Sequence, residues 1–465
     1  MFPSTTYRDR RQALASHVKR GLVLFLGNEY SPMNYAGNPY RFRQDSNFLY
    51  FFGLDQAGLA GVLDVESGES TLFGDDVSVD HIVWMGPQPS MRSLADRVGA
   101  AQLRGRAALA DVLAEAQAAG RPIHFPPPYR HLTQLRLAEY LQCDVTTVLD
   151  TASTELIQAI VRLRAYKSEE EIVEMEKALA TTAEMHRIAM RMATPGLTEA
   201  QLVGAVHGVA RSAGGDLAYQ AILTVNGQTL HNHHHHNTLR SGQLILGDYG
   251  AESTGGYAGD ITRTFPVDRQ FTIQQKEIYQ IVLDAEMAVI EALRPGVPYR
   301  DLHLLAGRVI VAGLSALGLM KGDVDAAVAA GAQALFFPHG LGHMIGLDVH
   351  DMEDLGEDWV GYDGEIQRSE QFGLRSLRLG RRLETGFVLT VEPGIYFIPE
   401  LIDQWRAKGH CAEFVHYEAL EAYRNFGGIR IEDDCLITDR GYRVLGPAIP
   451  KTIAEVEAVR NAVDH

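Results

Sequence analysis

Cysteine is scarce. Cys143, Cys411 and Cys435 are the only three in 465 residues, too few and too scattered for a disulfide framework or a thiolate zinc site. They read as free thiols of a reducing compartment. Long apolar runs are missing as well: stretches such as 22–26 fall far short of a membrane span. The opening MFPSTTYRDRRQ leads into no apolar segment of signal-peptide length, so the expected location is the cytoplasm. Positive charge is in deficit, with 42 Lys and Arg against 59 Asp and Glu and a formal net charge of −17. That balance argues against general binding to nucleic acid or anionic membrane, both of which favour a basic surface.

What remains is ordinary for a globular enzyme: 46% hydrophobic and 22% charged residues in a chain long enough for roughly two or three domains. Residues 1–160 read as an α/β domain with a helical connector at 151–165. Strands are expected over 21–26, 48–52, 60–65, 81–85 and 122–125, and helices over 106–118 and from the Pro126–Pro128 turn to Tyr140. Residues 161–465 form the second domain. It opens on a capping box, Ser168 with Glu171, ahead of Ile172, Met175, Leu179 and Ala183 at helical spacing. Pro195-Gly196 ends that helix, and Thr198 with Gln201 starts the next. About a hundred residues later the pattern recurs, with Thr272 and Gln275, Pro295-Gly296 and a helix from Tyr299. Each helix pair precedes strand-like sequence bearing His and acidic residues. A duplicated fold would place a site where its halves meet. Residues 352–383 and 398–427, rich in charge and Gly, read as long loops.

The stretch 243–265, QLILGDYGAESTGGYAGDITRTF, organises the second domain. It reads as two strands reversed at Gly255-Gly256, with Asp248 ending the first strand and Asp260 inside the second. Two carboxylates facing one small space repel, and one must take up a proton unless a cation is present. Further candidate ligands lie in FFPHGLGHMIGLDVHDM (His339, His343, His350), in VLTVEPGIYF (Glu392) and in GIRIEDDCLI (Arg430 and Glu432 on one strand face). Glu392, inside an apolar strand, needs a partner for its buried charge. This oxygen-rich set suits two divalent ions and hydrolytic chemistry better than a structural zinc site. The tract His233–His236 reads as an extended loop beside His231. Asp348, Asp351 and Glu353, acidic neighbours of His350, read either as groups that orient it or as solvated loop residues, and they are left outside the site.

These strings resemble the aminopeptidase P and prolidase branch of the creatinase/methionine aminopeptidase ("pita-bread") metallopeptidases. GYAGDITRTFPV, HGLGHMIGLDVHD and VEPGIYF carry the likeness, and FRQDSNFLYFFG extends it into the N-terminal domain. The resemblance implies a pita-bread catalytic domain of pseudo-symmetric helix pairs on an antiparallel sheet, behind an α/β N-terminal creatinase-like domain. It implies two metal ions, with Mn²⁺ as the working metal; ligand chemistry alone also allows Co²⁺, Fe²⁺ or Zn²⁺. By position, Asp248 would chelate one ion, Asp260 and Glu432 would bridge both, and His343 and Glu392 would ligate the other. Glu392 would also be the general base. His350 would pass a proton to the leaving nitrogen or steady the tetrahedral intermediate. His231 would lie near the substrate carbonyl and His339 would line the pocket. Arg430 would orient the bridging carboxylate and hold substrate.

The implied activity is hydrolysis of the Xaa-Pro bond in short proline-containing peptides by an Xaa-Pro aminopeptidase. The close alternative is an Xaa-Pro dipeptidase, whose pocket would end just past proline. A non-catalytic pita-bread scaffold and a metal-free amidinohydrolase of the creatinase type are disfavoured by the complete ligand set. The family also implies a homodimer or homotetramer. The chain departs from the family pattern in a longer Asp248–Asp260 connection and in expansions at 353–383 and 399–427, which bear on substrate length.

Overall fold

The computed structural model describes residues 2–462. They form two compact units, one of residues 2–165 with 352–359, the other of 166–351 with 360–462.

The first unit is built on a five-stranded mixed sheet in the order Gln102–Arg104, Ser70–Phe73, Ala60–Asp64, Leu22–Leu26, Ile123–His124. The three central strands are antiparallel and both edges are parallel. Alternation along Leu22–Leu26 sends Leu22 and Leu24 into a cluster with Val62, Phe73, Leu109 and Leu113. Phe25, of opposite parity, stacks on Phe51. Two expected strands are helices. Residues 48–52 lie in the Ser46–Phe52 helix, where Asp45 accepts from the Phe48 amide and Gly53 closes the turn at φ 63°. Residues 81–85 lie in the Val79–Met85 helix, capped by Ser78 and buried at no position. In both, a short apolar run lacked a period to separate strand from helix, and the caps decided.

In the second unit all three expected capping boxes form, on Ser168 and Glu171, Thr198 and Gln201, and Thr272 and Gln275. The Glu169–Met192 helix packs on Glu199–Ser212, and Ile273–Ala292 packs on Tyr299–Ala316. The two halves repeat in detail. The Gly196 amide donates to Leu239 O, and the Gly296 amide donates to Leu383 O. Isolated bridges follow at Thr198–Thr238 and Pro298–Arg382. Nine residues beyond Leu239 stands Asp248, and nine beyond Leu383 stands Glu392. These two carboxylates therefore occupy equivalent places in the two halves.

Each half carries a three-stranded antiparallel sheet. One runs Thr262–Pro266, Leu244–Asp248, Ile222–Thr224; the other runs Val388–Val391, Asp433–Thr438, Gly441–Val444. Asp248 pairs with Thr262 where the first ladder ends, so Asp260 precedes its strand instead of lying within it. In the second half Val391 pairs with Asp433, which leaves Glu392 and Glu432 opposite one another just past the ladder. Residues 398–427 are not simply loop: Pro399–Lys408 is a helix with proline in its first turn, Gly409 at its C-cap, and Ile402 and Trp405 buried. Residues 353–383 hold only short helical turns.

Candidate metal centre and active site

The strand ends deliver their acidic side chains to one place. Ligand atoms of Asp260, His343 and Glu432 lie within 4.8 Å of one another. His343 Nε2 is 3.4 Å from Asp260 Oδ2 and 3.5 Å from Glu392 Oε1. Asp248 joins through Tyr219, whose hydroxyl lies 2.7 Å from Asp248 Oδ1 and also touches Asp260 Oδ1. One hydroxyl proton serves only one of two carboxylates at a time. Arg430 organises the floor: Nη2 pairs with Asp248, Nε donates to Thr262 Oγ1 at 3.1 Å, and Nη1 donates to Tyr396 at 2.7 Å. Thr262 in turn donates to Glu432 Oε2 at 2.6 Å. Arg430 and Glu432 thus act on one hydroxyl, although a break in the strand at 431–432 separates them.

The electrostatics have one sense. Burial first, then neighbouring carboxylates, pushes Glu432 and Asp434 well above the usual carboxylate range. Burial likewise raises Asp248 and Asp260, and it lifts Glu392 to about 8 against the opposing pull of Arg430. Arg430, with a weaker contribution from Arg378, does not balance this much buried negative charge. His343 supplies the decisive detail. Its Nδ1 lies 3.0 Å from Met344 O, and its Nε2 faces carboxylate oxygens of Asp260 and Glu392. Imidazole nitrogen and carboxylate oxygens converging in this way, with a backbone carbonyl behind the imidazole, form the usual setting of a metal-ligating histidine. The donor set therefore fits divalent metal.

The remaining expected residues surround this cluster. The His350 ring lies 4.3 Å from that of His343, centroid to centroid. His339 bonds through Nδ1 to Gly340 O and through Nε2 to the Tyr396 hydroxyl at 2.9 Å, with Glu392 Oε2 at 3.8 Å from Nδ1. Burial pulls its pKa down to about 3. His231 lies on the loop above, where partial burial, then the Arg430 charge, lowers its pKa. The His233–His236 tract is mostly exposed, with His235 bonded to Ala221 O.

Asp351 corrects the solvated reading. Far from solvated, it is buried in an ion pair with Lys167 at 2.8 Å, both side chains 1% exposed, directly after His350. Tyr219, Thr262, Tyr396 and Asp434, which accepts from the Asp260 amide at 3.1 Å, were also missed. Only Asp434 left a trace in the sequence, as a second acidic residue beside the apolar CLI run.

Residues 173–439 match the model of metallopeptidase family M24, and 7–124 match the aminopeptidase P N-terminal domain. The chain belongs to metallopeptidase family M24. Among its M24 relatives, it is 33% identical to human Xaa-Pro dipeptidase over 99% of this chain and 94% of that one. It is 32% identical to the Xaa-Pro aminopeptidase of Escherichia coli K12 over 97% of each. In three dimensions it superposes on E. coli aminopeptidase P in complex with the inhibitor Pro-Leu at a TM-score of 0.80, with 30% identity across 99% of this chain and 98% of the other. The zinc-substituted E. coli enzyme with product gives the same score and coverage. The expected pita-bread catalytic domain behind an aminopeptidase P-type N-terminal domain is therefore the M24 architecture of this chain, and the chain is a metal-dependent peptidase.

Proposed function

We propose that the chain is an Xaa-Pro aminopeptidase that binds two divalent ions through Asp248, Asp260, His343, Glu392 and Glu432. The observation that carries the metal reading is the convergence of ligand atoms of Asp260, His343 and Glu432 within 4.8 Å, with Glu392 Oε1 3.5 Å from His343 Nε2. The family resemblance favours Mn²⁺, and an oxygen-rich donor set with one imidazole is compatible with it, as with Co²⁺, Fe²⁺ or Zn²⁺. The bound ions supply Lewis acidity and an activated water.

The chain's own residues do the rest. Glu392 would take a proton from the attacking water once bound metal offsets the burial and neighbouring carboxylates that raise its pKa in the metal-free protein. In this reading His231 lies near the scissile carbonyl, and His350 hands a proton to the departing proline nitrogen, which as a tertiary amide has none of its own, or steadies the tetrahedral intermediate. Arg430 holds Asp248 and Thr262 in place, while Tyr396 links Arg430 to His339.

Substrate length has a second reading, favoured by Arg378. This residue comes from the 353–383 expansion, and its charge depresses the pKa of both Glu392 and His231. A guanidinium at that spot suits the proline carboxylate of a dipeptide, and the Xaa-Pro dipeptidases of human and rat are similar to this chain at 33% and 35% identity. Paired assays on the Mn²⁺-loaded protein decide. An aminopeptidase releases the first residue of an Xaa-Pro-Yaa tripeptide. A dipeptidase cleaves only Xaa-Pro, and its Arg378→Gln variant shows a KM raised roughly tenfold or more for the dipeptide.

A homodimer or homotetramer completes the proposal. The Val79–Met85 helix supports it, exposing Val79, Val83 and Trp84 by 75%, 73% and 84%. The three unpaired cysteines agree with a reducing, cytoplasmic setting.

A further inference from the structure

The carboxylates of Asp248 and Asp260 are brought together by a fork. Their strands pair up to Asp248 and Thr262, and one weaker bond follows, Tyr249 N to Ile261 O at 3.3 Å. Beyond it the arms keep their register on few bonds: the Gly259 amide donates to Ala251 O at 3.0 Å, Glu252 bridges Ala258, and the Ser253 amide donates to Tyr257 O at 2.8 Å. Gly250 and Gly259 touch so closely that a Cβ on Gly250 would lie 1.6 Å from Gly259 O, and Ala251 pairs on its other side with Leu217. A fork held by so few ladder bonds leaves Tyr249 O and the Ala251 amide to partners outside it, so groups packed on it share in setting the distance between the aspartates.

The Glu169–Met192 helix does this with one face. Leu179, Thr182 and His186 recur at helical spacing, and all three are buried. Thr182 Oγ1 accepts from the Ala251 amide at 2.9 Å. A Cβ on Gly259 would press on Leu179 and Thr182. His186, fully buried, stacks on Tyr249 with ring centroids 4.2 Å apart. Its Nε2 lies 3.3 Å from Tyr249 O and 3.0 Å from Ile261 O. Both partners are acceptors, so Nε2 carries the proton and shares it between them. Those carbonyls belong to the residues that directly follow Asp248 and Asp260. Nδ1 has no partner, so the imidazole is fixed by this shared bond and by the stack alone.

We propose that His186, with Thr182, is a positioning device that fixes the separation of Asp248 and Asp260 for metal binding. The inference rests on the reading that these aspartates hold metal. It assigns His186 no contact with metal or substrate.

His186→Gln and His186→Met test it, since the two side chains match in length and differ in the donor. Mn²⁺ binding is measured by titration calorimetry on metal-stripped protein, and melting is followed with and without Mn²⁺. The expected result is roughly tenfold or greater loss of Mn²⁺ affinity in His186→Met, a smaller Mn²⁺-induced rise in melting temperature, and recovery of both in His186→Gln. Wild-type affinity and an unchanged metal-induced rise in His186→Met would overturn the proposal, even with both melting temperatures lowered, and would make His186 a packing residue. Should His186→Met fail to fold, Thr182→Val repeats the test from the other side of the fork, with the same expected and overturning results. Failure of the wild-type protein itself to bind Mn²⁺ would refute the metal reading, a separate outcome.

Discussion

Glu392 carries the largest burden of any single residue. Thr390 Oγ1, at 3.3 Å from Oε1, holds its carboxylate, which faces His343 on one side and His339 on the other. Replacing it with Gln keeps the shape and one oxygen donor and removes the base. Turnover of Glu392→Gln is expected to fall by roughly 10²–10⁴-fold, with an unchanged circular dichroism spectrum and most of the metal retained by elemental analysis. Activity within tenfold of wild type would show that another group takes the proton. At this scale the sequence is legible where a residue announces itself by an improbable setting: Glu392 after Val388, Leu389 and Val391, or Asp248 after an apolar run. His186 gave no such sign, because a lone histidine on an apolar helix face usually means packing. Tyr219 and Thr262 were silent for a related reason: what each does depends on partners far along the chain, at Asp260 and Glu432.

Elements were legible where their signals are local. The three capping boxes and the two Pro-Gly stops specify the helix pairs of both halves from a few adjacent residues. Runs 48–52 and 81–85 were not, since five apolar residues fit either a strand or a short helix, and the Asp45 and Ser78 caps outweighed them. The helix at Pro399–Lys408 was missed because flanking charge masked its two buried positions. The strand ends lead to a pH prediction. Glu392 and Glu286 are both buried and pushed up to about 8, against an ordinary 4.5. Each is protonated in the folded metal-free protein at a pH where the unfolded chain has released that proton. The stability they contribute is present below about 4.5 and lost as pH rises through about 8. His186, His303 and His339, pulled down to about 3 or 4, act in the opposite sense, but only below their ordinary 6.5. Between pH 7 and 9 the raised carboxylates set a falling slope, joined near pH 9 by Cys411 and Cys435, whose thiols burial also raises. The metal-free protein is expected to melt several degrees lower at pH 9 than at pH 7, with a smaller drop once Mn²⁺ is bound. Equal melting of the metal-free protein at both pH values would contradict the raised values.

For the whole molecule, the repeated halves explain why one site draws on so much of the sequence. Asp248 and Glu392 end equivalent strands, and their neighbours Thr262 and Glu432 are joined by a hydrogen bond from one half to the other. A duplicated scaffold thus presents like charges to one another, and metal turns that repulsion into a binding site. The exposed Val79, Val83, Trp84 and Met85 bear on assembly. Light scattering is expected to give a dimer or tetramer, and Trp84→Glu to shift it toward monomer; a monomeric wild-type protein would refute the assembly.

The most direct test of the central claim is hydrolysis of Xaa-Pro and Xaa-Pro-Yaa peptides by the chelator-stripped protein before and after Mn²⁺ is restored. Release of the N-terminal residue that vanishes with chelation, returns with Mn²⁺ and fails on the matching Xaa-Ala peptides is the predicted result. Cleavage indifferent to chelation, or no cleavage of either proline peptide by the reconstituted protein, would contradict it.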